Sequence, residues 1–224
     1  MRRILFIPLA LGVALVGAHG AAFQNLDFES GAVVQIPGFN TNRVYFDQAF
    51  PGWRGYVGGI QETAALYNAT CLSCSVIAIH DGHQPPDYLI EGSLTPVLQG
   101  AHGYIADTVL AQTGEVPVGT QSLLFRARAY GRIAVELGGH LLSLIPLGNG
   151  SNYVSYGADI SAWAGQESDL RFTAFSSDQP SDGGSLFVLD SIQFSTTPVP
   201  EPSTFALFAV AGAFGWFYWR RRRR

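Results

Sequence analysis

Apolar residues come in short runs along most of this chain, and Gly, Pro, Asn and Asp cut the runs at spacings too short for helices. Across Gln121–Ala129, Leu123, Phe125 and Ala127 alternate with Leu124, Arg126 and Arg128, the period of a strand with one buried face. The same reading predicts strands at Gln24–Phe28, Val33–Ile36, Gly58–Tyr67, Ser75–His80, Tyr88–Gln99 and Ala106–Gln112. It continues with Arg132–Leu137, His140–Leu144, Tyr153–Tyr156, Asp169–Phe175 and Leu186–Phe194. Gly138-Gly139 is predicted to turn a two-residue hairpin, because both positions tolerate positive φ. Pro51-Gly52-Trp53 reads as a turn that buries the Trp53 ring, and Asp159–Gln166 as a one-turn helix or loop crossing over the strands. Short strands between turn signals, without alternating helices, predict an all-β sandwich.

Two apolar stretches break that rhythm. Ile4–Val16 follows Met1-Arg2-Arg3 and precedes Ala18-His19-Gly20, the order of a secretory signal helix that signal peptidase removes after Gly20 or Ala22. Phe205–Trp219 carries no charge over fifteen residues and runs straight into Arg220, Arg221, Arg222, Arg223 and Arg224. As a helix it is about 22 Å long at about 1.5 Å per residue, short of the roughly 30 Å hydrocarbon core. Ser203 and Thr204 extend it, and arginine side chains snorkel to the interface. Trp216, Tyr218 and Trp219 sit where an aromatic belt is expected, and the positive-inside rule places the arginines in the cytoplasm. The expected organisation is a signal peptide at 1–22, a sandwich body at 23–197 and a C-terminal signal with a transmembrane helix at 198–224.

The tail resembles a known address. Pro200, Glu201 and Pro202, an apolar helix from Phe205 and a terminal arginine cluster are similar to the PEP-CTERM sorting signal of Gram-negative bacteria. The resemblance implies recognition and processing by exosortase near the Pro-Glu-Pro, after a single-pass intermediate in the inner membrane. It also implies an exported product at the cell surface or beyond it, associated with exopolysaccharide.

Charge changes meaning once the two ends are set aside. The chain has no lysine, and of its 13 arginines only six lie outside the end segments. Those six face 17 acidic residues, Glu201 of the tail included, a balance of −11 where the whole chain has −4. Such a body does not bind nucleic acid by charge.

Asn25–Glu29 at the start of the body, Asp159–Gln166 and Leu189–Ile192 near its end resemble galactose-binding-like jelly rolls. The resemblance implies a jelly-roll sandwich in which the opening Glu29 and the closing Asp190 come together and hold a structural Ca²⁺, a hard cation that takes oxygen ligands. Asp178 and Asp182 are further candidates. His80, His83 and Asp87 form a compact set of ligand types for Zn²⁺, on a Gly/Pro-rich stretch that need not gather them. Cys71 and Cys74 are expected to form a small-loop disulfide in an oxidising compartment. Trp53, Tyr56 and Trp163 are candidate stacking platforms for sugar rings, or core aromatics.

No nucleophile elbow, zincin helix or phosphate loop is present, so the body is expected to be non-enzymatic. Two functions are predicted: an exosortase-sorted envelope or extracellular-matrix protein associated with exopolysaccharide, or a carbohydrate-binding module at the cell surface.

Overall fold

The computed structural model describes residues 20–38, 42–71, 74–83, 88–101, 106–177 and 184–200. Residues 1–19 of the expected signal peptide, most of the sorting tail (Glu201, Pro202, Phe205, Trp216, Trp219 and the arginine cluster included), and Asp87, Asp178 and Asp182 lie outside the described residues. Among those described, no helix is long and apolar enough to cross a membrane.

Two sheets make up the body. The larger contains, in spatial order, β1 (Arg43–Tyr45), β4 (Ala64–Tyr67), β5 (Val76–His80), β6 (Thr95–Gly100), β14 (Ser185–Ser195), β8 (Ser122–Tyr130), β12 (Val154–Asp159) and β11 (Ile145–Asn149). The smaller contains β10 (His140–Leu141), β9 (Ile133–Leu137), β13 (Glu167–Ala174), β7 (Thr108–Glu115), β2 (Arg54–Val57) and β3 (Ile60–Gln61). Pairing is antiparallel except between β4 and β5. From β6 to β9, and again from β12 to β14, consecutive strands alternate between the sheets, the wrapping of a jelly-roll-like sandwich.

The alternation read in β8 is what fills the core. Leu123, Phe125 and Ala127 are buried, while Leu124, Arg126 and Arg128 are half-buried on the other face. Phe125 meets Phe172 of β13 edge-on at 5.5 Å between ring centroids, and Phe187 of β14 at 6.3 Å. A ring of this kind contributes about 1.5–3 kcal/mol on burial. The Gly138-Gly139 turn joins β9 to β10 with both φ angles positive, at 58° and 77°. In the crossing segment, expected as a one-turn helix or loop, Ser161–Trp163 forms a 3₁₀ turn.

Several strand expectations need correction. Gln24–Phe28 is a knot of turns rather than a strand, with Asn25 and Phe28 at positive φ (48° and 59°). The Asn25 side chain accepts the Ser30 amide at 2.9 Å, and such local bonds compete with a ladder. Gly58–Tyr67 splits, because Gly58-Gly59 turns the β2–β3 hairpin in one sheet and β4 belongs to the other. Of Tyr88–Gln99 only the part from Thr95 on is strand. The stretch before it lies over the outer face of the larger sheet, where Tyr88 and Ile90 cover Ala78, Val97 and Val188. β1, β2, β11 and the short helix α1 (Phe46–Ala49) had not been expected. β2 approaches α1 so closely that a Cβ on Gly55 would stand 2.3 Å from the Phe46 ring. At the far edge, the β11–β12 pairing shifts register between Pro146 and Gly148.

Candidate functional site

The outer face of the larger sheet carries a set of polar side chains that the fold fixes in place. β14 is bulged after Asp190, with Ser191 at φ 52°, so that Asp190 pairs with Arg126 and pairing resumes at Gln193 with Leu124. Asp190 is only 1% exposed. Its Oδ2 accepts the Thr95 hydroxyl at 2.7 Å and the Glu91 amide at 3.3 Å, and its Oδ1 accepts the Ser191 amide at 2.7 Å. Burial pushes its pKa up to about 6, a rise that these donors oppose and the nearby Glu29 charge reinforces. Glu29 Oε1 accepts the amides of Ser93 and Leu94, at 2.8 and 3.1 Å. The two carboxylates therefore fasten one turn, 91–94, to the sandwich. The Ile192 amide donates to the Leu26 carbonyl at 2.9 Å, which brings the opening segment and the last strand together.

These residues fit a divalent cation in charge and hardness, since they place two carboxylates at one turn. They supply two ligands of that kind only. Among the described residues no group of three or more His, Cys, Asp or Glu is placed to hold a metal.

Next to this clamp lies a polar recess. Glu91 Oε2 accepts from Arg126 Nη1 and from the Ser191 hydroxyl, the latter at 2.5 Å. The serine bond first, and then Arg126, hold the Glu91 carboxyl below its usual range. The Arg126 guanidinium also lies 5.1 Å from the Tyr153 ring centroid, and that of Arg128 lies 5.0 Å from Tyr88. A recess of about 220 Å³ opens beside Arg126, between Leu124, Leu147, Ser155, Ser191 and Gln193. Planar donors, hydroxyls, an amide and a nearby aromatic ring suit a polyhydroxylated ligand. Glu91, Arg126 and Tyr153 had not been singled out from sequence. The available signal was that two of only six body arginines share the polar face of one strand.

The other candidates are dispersed. Trp53 is 4% exposed, packs on Phe28 and Phe172, and donates its indole N–H to the Asn25 carbonyl at 3.0 Å. Its ring is core and not a stacking platform. Trp163 is half-buried against the core and against His140, 5.7 Å away. Tyr56 lies under Arg171 at 5.9 Å. His80 is buried edge-on to Tyr88, whereas the His83 side chain is 81% exposed and meets Asp81 at 3.1 Å. The two histidines thus belong to different environments and do not form a zinc pair. Asp81 instead gathers donors: the Tyr67 hydroxyl, the Asn68 side chain at 2.6 Å and the His83 amide at 3.0 Å. Burial alone would raise its pKa, but these bonds, led by Tyr67, hold it far below the usual range. Cys71 and Cys74 are joined by a disulfide, with Cα atoms 5.4 Å apart.

Beyond β14 the chain follows the sandwich as far as Pro200. Residues 198–223 match the PEP-CTERM protein-sorting motif. The sandwich upstream of that motif is similar to several solved structures. One is TmCBM61 bound to beta-1,4-galactotriose, at 12% identity and a TM-score of 0.40, over 78% of this chain and 97% of that one. Another is the secreted serine protease VesC from Vibrio cholerae, at 12% identity and TM-score 0.33, over 56% of this chain and 25% of that one. A third is the enzymatically active domain of tailspike protein 4 from bacteriophage CBA120, at 15% identity and TM-score 0.37, over 65% and 19%. None of the curated proteins matches the chain.

Proposed function

We propose that this chain is an exported, non-enzymatic protein of the cell envelope or extracellular matrix, sorted by exosortase and acting in contact with exopolysaccharide. The sorting motif at 198–223, joined directly to a folded acidic sandwich, carries the reading. In this account signal peptidase removes 1–22, and the tail holds the body outside the inner membrane as a single-pass intermediate. Exosortase then cuts near Pro200-Glu201-Pro202, and the sandwich is delivered to the surface or released. Changing Pro200, Glu201 and Pro202 together to alanine is expected to leave an unprocessed, membrane-retained form in a host with the sorting enzyme. Maturation like that of the wild type would refute the reading.

A second reading makes the body a carbohydrate-binding module, and the recess beside Arg126 favours it. The guanidinium is held by Glu91 and lies on the Tyr153 ring, so it is oriented before any ligand arrives. Retardation of the protein in gels containing neutral or acidic polysaccharide measures this directly. Binding lost in Arg126→Ala with unchanged melting is the expected result, and no retardation by any polysaccharide would refute it.

We extend the proposal to a structural Ca²⁺ at Glu29 and Asp190, where the cation would offset the burial of the Asp190 carboxylate and its repulsion by Glu29. Calcium should then raise Tm by a few degrees in the wild type and not in Glu29→Gln. A Tm indifferent to calcium and to chelator removes the ion from the account.

A further inference from the structure

The first residues of the sorting motif are not a loose linker. After β14 the Gln121 amide donates to the Ser195 carbonyl and the Ser122 hydroxyl to the Thr197 carbonyl, both at 2.7 Å. The Thr197 amide closes back on Ser195 Oγ at 3.0 Å. Pro198 and Pro200 are exposed, while Val199 between them turns inward and is half-buried. Gly157 makes the seat. A Cβ there would lie 2.8 Å from Val199 Cγ2, 3.0 Å from Leu147 Cδ1 and 3.2 Å from Leu124 Cδ2. The strap walls an apolar groove of about 390 Å³ shared with Leu124, Pro146 and Leu147. Proline at 198 fixes its own φ, and Pro200 keeps Val199 extended, so little chain entropy is lost when the strap docks.

We propose that the sandwich itself presents the sorting motif, and that Val199, seated between Leu124, Leu147 and Gly157, sets where the processable segment begins. The inference rests on the exosortase reading above and adds to it a role for the body. With Val199 held, the five residues from Pro200 to Thr204 are all that separate the sandwich from the apolar run. Fully extended they span about 17 Å. The end of the sandwich bearing Leu147 and Gly157 therefore faces the membrane closely. The sorting enzyme meets a motif whose upstream side is already fixed, and the cut falls at Pro200 or beyond.

Two measurements on the full-length chain test this. The native cysteines are paired, so Val199→Cys and Thr196→Cys each carry one reactive thiol on the strap. In detergent micelles, Val199→Cys is expected to alkylate several-fold more slowly than the exposed Thr196→Cys, because its half-buried seat against Gly157 and Leu147 slows attack until the strap opens locally. Adding Gly157→Leu, which fills the seat, should remove the difference. Leu147→Gln, at a position 44% exposed and outside the motif, should do the same without burdening the fold. Equal rates in the unmodified body overturn the docking.

In the sorting host, the mature C-terminus read by mass spectrometry should be single in the wild type and spread upstream of Pro200 in Leu147→Gln. One unchanged C-terminus in both, with the strap undocked by the alkylation measure, overturns the presenting role. Failure of the triple alanine change to block maturation would refute exosortase sorting instead, and the alkylation result would stand apart from it.

Discussion

Inward from the larger sheet, Phe125, Ala127, Phe187 and Leu189 meet the smaller sheet in a close-packed apolar layer. Outward from the same two strands, one residue along, stand Arg126, Arg128 and Asp190, covered in part by the stretch from Tyr88 to Leu94. The inner face is held by volume, and a smaller side chain there opens a cavity. The outer face is held by named bonds between residues far apart in the chain, such as Arg126 with Glu91 and Asp190 with Thr95. A sandwich of this kind keeps its stability on one side of the sheet and is free to carry specificity on the other.

Substitutions on the two faces should separate these roles. The largest effect is expected from Phe125→Ala, which opens a cavity between Phe172 and Phe187 and should cost about 3–5 kcal/mol in urea unfolding. A loss under about 1 kcal/mol would mean that the inner layer collapses around the gap. Asp190→Ala on the outer face should cost less, about 2 kcal/mol, since it strands the Thr95 hydroxyl and two backbone amides. Asp190→Asn should cost less still, because the amide oxygen keeps an acceptor while the burial of a charge is removed. If the asparagine variant proves the weaker of the two, the bonds need the carboxylate itself.

The smallest effect concerns acid. Asp81 has its folded pKa depressed below the unfolded value of about 3.9. Its contribution is therefore complete above about pH 4 and declines as pH falls below that toward the folded value. Wild type should lose more stability than Asp81→Asn between pH 6 and pH 3, measured as urea midpoints. Parallel losses would show that other carboxylates govern acid unfolding.

The same contrast explains what was legible in the sequence. Period-two alternation marks β8, because burial against a facing sheet imposes the pattern residue by residue. The Gly138-Gly139 turn and the crossing at Ser161–Trp163 were legible for the same local reason. β1 and β2 were not, since Arg43–Tyr45 and Arg54–Val57 are too short to show a period. Their place comes from α1 and from Phe46 against Gly55. Glu29 and Asp190 were visible as a pair only through resemblance, and the structure adds that both hold the turn at 91–94. The recess around Arg126 depends on Glu91, 35 positions away, and on a bulge that no local pattern announces. For Trp53 the sequence led to a buried ring but not to its partner, the Asn25 carbonyl that takes its indole N–H.

One edge of the larger sheet carries a further consequence. β11 is its outermost strand, and Pro146 removes a donor there while the register shift before Gly148 interrupts the ladder. Such an edge makes a poor template for another strand. Copies of this body crowded side by side on a surface would stay separate molecules and would not zip into a shared fibre along that flank.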